Sequence, residues 1–467
     1  MKVFGTAGIR MKYPSELDPL LAVKIGNAVG RLKLAEKAFI VHDTRTTAHL
    51  LAYSLAAGFM SAGVHAVYVG TAPTPVAAYA AYKQKAIGAS VTASHNPPEY
   101  NGMKFYDPEG YEFTRSLEAE VEKMLDSTPL YVEWYSTGKA YVDSSIVDQY
   151  VADLLDFVGR PPKQESYVYI VVDCANGASY DVTPRIVRSM NAKPITINCN
   201  PDGFFPVRLP EPRRDVLEGL LSQYSAFNPH AILAHDGDAD RLAVLDPVDG
   251  FIRQDRLLAF FAKKILEERK GHIVVSIDTG FVVDDVVLEH GGTVERYPLG
   301  KTHERVKELG RQNVVMAGEP WKLIHTAWGP WVDGVLQVAL LTKYIVETGK
   351  RVSRLLQDEG IPEYPWDRRS YVLEPLEIRD PVYEDLVEEV LKQLGDPVRV
   401  LDIDGYRYEF EDRSWVLVRK SGTEPKLRIY AEAPTPERLK IIVEKVDSAL
   451  KRLAKKHGGR VVEVTVG

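Results

Sequence analysis

Residues 87–98 read Ile87-Gly88-Ala89-Ser90-Val91-Thr92-Ala93-Ser94-His95-Asn96-Pro97-Pro98, a pattern typical of a strand and the loop that follows it in an α/β unit. Its first half is a short apolar run typical of a buried strand, and its second half is a polar loop closed by two prolines. Because ligands of α/β proteins bind beyond the carboxyl ends of strands, Ser94 and His95 become candidate site residues. A serine hydroxyl is a poor nucleophile unless it is activated or already carries the transferred group. Taken alone, the loop is more typical of a polar β-turn than of a catalytic site.

Outward from this loop, short apolar runs alternate with amphipathic stretches, which is typical of parallel sheets with crossover helices. Ala38–Val41, Val168–Val172 and Ile273–Ile277 are strands predicted in three such units. Beyond Pro375 the pattern changes to several strands followed by a long helix, Pro436–Lys455, which indicates an α+β unit with an antiparallel sheet. A length of 467 residues therefore predicts three or four domains.

Composition excludes several classes of protein. A net charge of -7 argues against a nucleic-acid or anionic-membrane partner. No charged residue occurs between Arg45 and Lys83, but glycines and prolines break that stretch into pieces too short for a membrane helix. Cys174 and Cys199 are the only cysteines, so we expect no disulfide framework, no CxxC pair and a cytoplasmic setting. Asn and Gln together number 18, which suggests a thermophile.

A second loop carries three carboxylates at alternate positions, Asp236-Gly237-Asp238-Ala239-Asp240-Arg241. It follows the apolar strand Ala231–Ala234, and its carboxylates can converge on one hard cation. An EF-hand is excluded because its sixth position is Arg241 and its twelfth is Pro247. We therefore predict a divalent-metal site at Asp236, Asp238 and Asp240 that leaves room for a phosphate oxygen. Solvated surface charge, the alternative, is not typical of a loop after a buried strand.

A third loop, Arg419-Lys420-Ser421-Gly422-Thr423-Glu424-Pro425, combines cations, hydroxyls and a glycine, and Arg428 follows it. Arginine guanidinium groups bind phosphate through paired hydrogen bonds, and a glycine allows backbone N–H groups to approach it. The alternative interpretation is an ordinary hairpin with surface charges. Near the N-terminus, Phe4-Gly5-Thr6-Ala7-Gly8-Ile9-Arg10 offers Arg10 to an anion. Together the loops indicate a phosphoryl-transfer site that also grips a second, non-reacting phosphate.

With these loops in this order, the chain resembles the α-D-phosphohexomutase superfamily over its whole length, including phosphoglucomutase, phosphomannomutase and phosphoglucosamine mutase. The resemblance implies four domains around a central cleft, three related α/β domains and a smaller C-terminal α+β domain with an antiparallel sheet. Their expected bounds are 1–143 with the phosphoserine loop, 144–249 with the metal loop, 250–364 with the sugar loop and 365–467 with the phosphate loop.

The resemblance also implies roles for individual residues. Ser94 would be a phosphoserine and would hold one Mg²⁺ per subunit together with the three aspartates. Arg10 and Arg241 would lie against the reacting phosphate, and His95 and Lys104 would help as acid or base. The expected substrate-binding residues are Glu319, Trp321, Lys322, Arg419, Ser421, Gly422, Thr423 and Arg428. A sugar bisphosphate is the expected activator, and the expected partner is a small phosphosugar.

The sugar loop departs from the family pattern. The family usually shows Gly-Glu-x-Ser-Gly-His, whereas here Gly318-Glu319 is followed by Pro320-Trp321-Lys322-Leu323. Lys322 and His325 are the two candidates to take the place of the missing histidine. A mutase for glucose or mannose phosphate is the leading expectation, and Trp321 and Lys322 motivate a phosphopentomutase as the alternative, beside phosphoglucosamine mutase. A silent phosphosugar-binding protein and a phosphatase are further alternatives.

Overall fold

The computed structural model describes residues 1–5, 8–421 and 425–466. These residues group into two compact units, one of residues 1–254 and 303–359 and the other of residues 255–302 and 360–467. The expected four-domain bounds stay a prediction. No helix in the described ranges combines the length and the apolar character that crossing a bilayer requires.

A mixed sheet with helices along it occupies the first part of the chain. In the order β1-β5-β4-β2-β3-β6, strands β2, β3, β4 and β6 run parallel, and β5 is antiparallel to β1 and β4. The elements are β1 (Ile9–Lys12), α1 (Pro19–Gly30), β2 (Lys37–His42), α2 (Ala48–Ser61), β3 (His65–Thr71), α3 (Thr74–Gln84), β4 (Ile87–Val91), β5 (Tyr100–Tyr106), α4 (Arg115–Leu125), β6 (Ala140–Val142) and α5 (Ser145–Val158).

A second sheet follows in the same unit, with the order β11-β10-β9-β7-β8. Its parallel strands β7, β8 and β9 are joined by crossovers, and β10 and β11 add an antiparallel edge. The elements are β7 (Tyr169–Asp173), α6 (Val182–Ser189), β8 (Lys193–Ile197), α7 (Arg214–Gly219), α8 (Leu221–Ser225), β9 (Ala231–His235), β10 (Leu242–Asp246) and β11 (Gly250–Phe251).

The third α/β region contributes to both units. The 255–302 segment holds a parallel pair, β12 with β13, and the 303–359 segment holds an antiparallel hairpin, β14 with β15. The elements are α9 (Gln254–Glu268), β12 (His272–Ser276), α10 (Phe281–Glu289), β13 (Thr293–Tyr297), α11 (Thr302–Leu309), β14 (Val314–Glu319), β15 (Lys322–His325), α12 (Gly334–Thr348) and α13 (Val352–Asp358).

The C-terminal region is a six-stranded, fully antiparallel sheet in the order β17-β18-β19-β20-β16-β21. Helices α14 and α15 pack on one face through Val382, Leu386, Val446 and Leu450. The elements are β16 (Trp366–Glu374), α14 (Arg379–Leu394), β17 (Arg399–Leu401), β18 (Tyr406–Glu409), β19 (Trp415–Lys420), β20 (Lys426–Glu432), α15 (Pro436–Lys456) and β21 (Arg460–Val466). The predicted fold class, three α/β domains and a C-terminal α+β domain, is confirmed.

One sequence-based expectation about the cysteines is wrong. Cys174 and Cys199 are joined by a disulfide, with their Cα atoms 4.9 Å apart. The reason is the register of β7 and β8, which places Asp173 beside Ile197, so that the two cysteines follow the ends of neighbouring parallel strands. A sequence separation of 25 residues does not reveal this proximity.

Candidate active site

Ser94 lies at the end of β4 in a conformation that few side chains adopt. Its φ of 51° is in the left-handed region, and its side chain is fully buried. The backbone N–H of Ser94 donates to Thr92 Oγ1 at 2.7 Å, and Ser94 Oγ donates to Asp236 Oδ2 at 2.8 Å. The fold therefore places the predicted nucleophile directly against the predicted metal loop.

Arg45, for which the sequence predicts no role, holds the serine loop in place through hydrogen bonds. The buried guanidinium donates to the carbonyl oxygens of Ser94 at 3.0 Å and Asn96 at 2.6 Å. It also reaches the carbonyls of Pro97 and Tyr100 at 2.6 and 2.8 Å. Asp43 accepts from Arg45 Nε at 3.0 Å and from Thr92 Oγ1 at 2.7 Å. The Asp43-Thr44-Arg45 sequence directly after β2 was the available signal.

The three aspartates of the second loop converge as predicted. Asp236, Asp238 and Asp240 are buried and each offers a carboxylate oxygen within 4.8 Å of the others. Burial, followed by the charges of Asp238 and Asp240, raises the pKa of Asp236 well above its ordinary value. Within the described residues, Asp238 Oδ1 and Asp240 Oδ1 are buried without a hydrogen-bond partner. Carboxylate oxygens of this kind are the ligands that hard divalent cations prefer, so the cluster fits a metal site.

Lys104 supplies a positive charge to this acidic cluster from the neighbouring strand β5. Its Nζ donates to Asp238 Oδ2 at 2.8 Å and to Asp240 Oδ2 at 2.5 Å. Burial alone would lower the pKa of Lys104, but the two carboxylates outweigh it and raise that pKa above its ordinary value. Lys104 therefore lies in the site as a fixed cation.

Arg10, His95 and Arg241 lie beside the serine and metal loops. His95 Nδ1 lies 3.3 Å from Arg10 Nη1 and also 3.3 Å from Ser94 Oγ. Arg241 Nε is 3.8 Å from the carboxylate oxygens of both Asp236 and Asp240. Burial, followed by the charges of Arg241 and Arg10, holds the pKa of His95 well below its ordinary value. The imidazole is therefore neutral near pH 7 and a weaker base than an exposed histidine.

The predicted sugar loop is a tight hairpin between β14 and β15. Glu319 pairs with Lys322 across it, and Lys322 Nζ lies 3.3 Å from Glu319 Oε2. Trp321 at the turn has a φ of 65°, which suits glycine rather than tryptophan. The indole packs against the core of the second sheet, and the Trp321 carbonyl accepts from Leu242 N at 3.0 Å and Gln337 Nε2 at 3.1 Å. The loop is thus held in place by its strained residue.

Lys322 and His325, the two candidates for the missing histidine, lie in different environments. The charge of Lys322 contributes to lowering the pKa values of His95 and Asp240, which places its ammonium near the serine and metal loops. His325 instead packs edge-on against Phe157, and burial lowers its pKa to about 4. Of the two candidates, Lys322 is therefore the one that lies near His95 and Asp240.

The phosphate loop lies in the second unit, between β19 and β20. Arg419 and Arg428 are directly opposite each other in the ladder, so their side chains share one face of the sheet. Arg419 is held by Asp404 at 3.0 Å, and Ser421 N donates to Lys426 O at 2.9 Å. Gly422 and Thr423, the other predicted phosphate ligands, lie outside the described residues.

Family models match most of the chain in four successive segments. Residues 1–131, 148–249 and 253–361 match the phosphoglucomutase/phosphomannomutase α/β/α domains I, II and III. Residues 377–449 match the C-terminal domain of the same family.

Individual relatives extend over nearly the full length. A phosphopentomutase of Thermococcus kodakarensis is 38% identical over 97% of this chain and 99% of its own. A protein of Methanopyrus kandleri named "Probable phosphoglucosamine mutase" is 37% identical over 94% of this chain and 95% of its own. Among solved structures, a phosphoglucomutase/phosphomannomutase family protein from Burkholderia thailandensis has a TM-score of 0.84 at 24% identity, covering 98% of this chain and 99% of that one.

Proposed function

The chain belongs to the phosphoglucomutase/phosphomannomutase family of isomerases, and on that premise we propose that it is a phosphopentomutase. It interconverts ribose 1-phosphate and ribose 5-phosphate. The observation that carries this choice is the sugar loop, where Trp321 and Lys322 stand at the family's serine and glycine positions and Lys322 Nζ lies 3.3 Å from Glu319 Oε2. The 38% identical phosphopentomutase of Thermococcus kodakarensis supports it. The proposed substrate is therefore a pentose phosphate, whereas the sequence alone favoured a hexose phosphate.

The physical argument concerns space and charge beside the sugar. A pentose lacks the sixth carbon of a hexose and therefore needs less room beside Glu319, where Lys322 stands at the position of the family's glycine. Trp321 packs backward against the second sheet, and this packing fixes Lys322 at the turn. A residue with strained φ costs about 1–3 kcal/mol and persists where its surroundings hold it, as they do here. We infer that Trp321 positions Lys322 rather than stacking on the sugar.

The proposed cycle uses the groups around Ser94. Phospho-Ser94 gives its phosphoryl group to the sugar, forming a bisphosphorylated sugar, and after reorientation the other phosphate returns to Ser94. His95, whose Nδ1 lies 3.3 Å from Ser94 Oγ, passes the proton of the attacking sugar hydroxyl to Ser94 Oγ as the phosphoryl group leaves the serine, and the second transfer uses the same path in reverse. Arg10 and Arg241 stabilise charge on the moving phosphoryl group. Arg419 and Arg428 hold the phosphate that does not react.

Asp236, Asp238 and Asp240 would hold one Mg²⁺ per subunit, together with an oxygen of the serine phosphate. Bound there, the cation neutralises negative charge on the transferred phosphoryl group. A sugar bisphosphate would restore the phosphate on Ser94 whenever it is lost.

The substrate choice is tested by four parallel assays with ribose 1-phosphate, glucosamine 1-phosphate, glucose 1-phosphate and mannose 1-phosphate. We expect the highest kcat/KM on ribose 1-phosphate. The "Probable phosphoglucosamine mutase" relatives make glucosamine 1-phosphate the second candidate. A higher kcat/KM on any hexose phosphate would overturn the pentose assignment while leaving the mutase class intact.

The mechanism is tested at Ser94. Intact mass should show one added phosphate on the active protein, and Ser94→Ala should lower mutase activity by several orders of magnitude because the covalent intermediate is lost. Ser127→Ala, at an exposed serine, is the matched control and should retain normal activity. Steady release of inorganic phosphate without isomerised sugar would indicate a phosphatase instead.

A further inference from the structure

The edge of the first sheet carries a concentration of exposed apolar side chains. They belong to the segment 130–142, which ends in β6, and their exposed fractions lie between 46% and 84%. The side chains are Leu130, Tyr131, Trp134, Tyr135, Tyr141 and Val142. The segment is nevertheless held against the C-terminal end of α2, because Val132 N donates to Ser61 O at 3.1 Å and Gly138 N to Met60 O at 2.9 Å. Exposed apolar patches of this kind mark interaction surfaces.

The backbone of β6 has one side turned to β3 and one side open. Lys139 O accepts from Ala66 N at 2.9 Å, and Asp143 N donates to Tyr68 O at 3.0 Å. In such a parallel ladder, the groups of Ala140 and Val142 point the other way. Within the part of the chain that the structure describes, β6 is the last strand of its sheet, so these groups face outward. An open strand edge is a template for pairing with another strand.

The sequence around β6 is complementary to itself in one register. If β6 pairs antiparallel with a second β6 about Tyr141, Ala140 of one copy lies opposite Val142 of the other. These are the residues whose N–H and C=O groups point outward, so the pairing forms four hydrogen bonds. The same register sets Lys139 opposite Asp143, a pair of opposite charges, at both ends. An exposed lysine on an edge strand usually discourages pairing, but here its opposing residue is an aspartate.

The edge strand β21 of the C-terminal sheet is not complementary to itself in this way. Strand β21 also lies at an edge and exposes Val462, Val464 and Val466. Antiparallel pairing about its midpoint would set Glu463 opposite Glu463, and like charges directly opposite each other destabilise a strand pair. The charge pattern therefore favours β6.

We propose that the protein forms a two-fold symmetric dimer in which the β6 strands of two copies pair antiparallel about Tyr141. The pairing joins two six-stranded sheets into one continuous sheet. The exposed aromatic side chains of residues 130–135 flank the new strand pair and lose contact with water. A self-complementary patch is what a two-fold interface requires.

The first test is sedimentation of the full-length protein over a concentration series. We expect a dimer, and Val142→Pro should shift it to monomer because proline removes an outward N–H without disturbing the bonds to β3. Val142→Thr keeps that N–H and should remain dimeric. Turnover should stay close to that of the parent in both variants, and only Val142→Pro should have a lower thermal midpoint, because it alone loses the stabilisation that association provides. A monomeric parent at roughly 100 μM, or a Val142→Pro dimer, would overturn the proposal.

Charge reversal provides an independent test of the register. Lys139→Glu should weaken the dimer roughly tenfold, because two attractive pairs become repulsive. Adding Asp143→Asn should restore most of the association, since asparagine removes the repulsion and keeps the acceptor used by Ser145 N. Lys440→Glu, at a 75% exposed lysine, is the matched control and should have no effect. Equal affinities for the parent and Lys139→Glu would contradict the proposed register.

Discussion

Arg45 shows how much of the site depends on one buried side chain. It holds four carbonyl oxygens of the serine loop within 3.0 Å and is itself held by Asp43. A buried peptide carbonyl without a hydrogen-bond donor costs free energy of folding. The left-handed backbone of Ser94 is therefore maintained by a residue that contacts no reacting atom in the proposed mechanism.

Arg45→Lys is expected to lower kcat by roughly 10- to 100-fold while KM changes less than about twofold, because a lysine cannot supply the same set of fixed donors. Steady-state kinetics on the preferred sugar phosphate measure both constants. Arg399→Lys, at a 59% exposed arginine, is the matched control. A variant that only loses thermal stability and keeps its kcat would show that Arg45 has a structural role alone.

At the scale of elements, the disulfide ties together the ends of two parallel strands. Cys174 follows β7 and Cys199 follows β8, beside the buried pair formed by Asp173 and Arg208 at 2.8 Å. Gly177, three residues beyond Cys174, approaches the metal loop so closely that a Cβ there would lie 2.4 Å from Gly237 O. The cross-link thus constrains the segment that supports the metal loop.

Reduction should lower the free energy of unfolding by about 3 kcal/mol, the value expected for closing a loop of this length. Thermal unfolding with and without a strong reductant measures the difference. A Cys174→Ala/Cys199→Ala variant should start from the lower midpoint and be insensitive to the reductant. An equal response of parent and variant would contradict this expectation.

Sequence patterns predicted the elements whose signals are local and missed those defined by distant partners. The loops at Ser94 and Asp236 were found because polar residues directly follow buried strands. Strand β5, which carries Lys104, was not predicted because Asn101-Gly102 is typical of a turn. In the sheet, Gly102 instead lets Ile9 approach, since a Cβ there would lie 1.8 Å from Ile9 O. The disulfide and the Arg45 contacts depend on register and tertiary packing in the same way.

At the scale of the whole molecule, buried histidines make stability depend on pH. Burial lowers the pKa values of His42 and His325 to about 4, against 6.5 for an exposed imidazole. Between pH 6.5 and 4 the unfolded chain therefore binds more protons than the folded protein. The contribution of these neutral imidazoles is fully present above pH 6.5 and is lost as the pH falls toward 4.

Urea unfolding at pH 7 and pH 4.5 should show this loss, which is on the order of 3 kcal/mol for each histidine at most. A His42→Gln/His325→Gln variant should have a smaller difference between the two pH values, whatever its stability at pH 7. Identical differences for parent and variant would assign the acid sensitivity to other groups.

The division of the chain into two units has a consequence for synthesis on the ribosome. The first unit is built from residues 1–254 and 303–359, so its two parts are separated in time. In the folded protein the Tyr150 hydroxyl donates to Asp333 Oδ1 at 2.8 Å, and Leu242 N donates to the carbonyl oxygen of Trp321. Until the later part emerges, both donors are without these acceptors. A nascent chain stalled near residue 300 would therefore expose these surfaces.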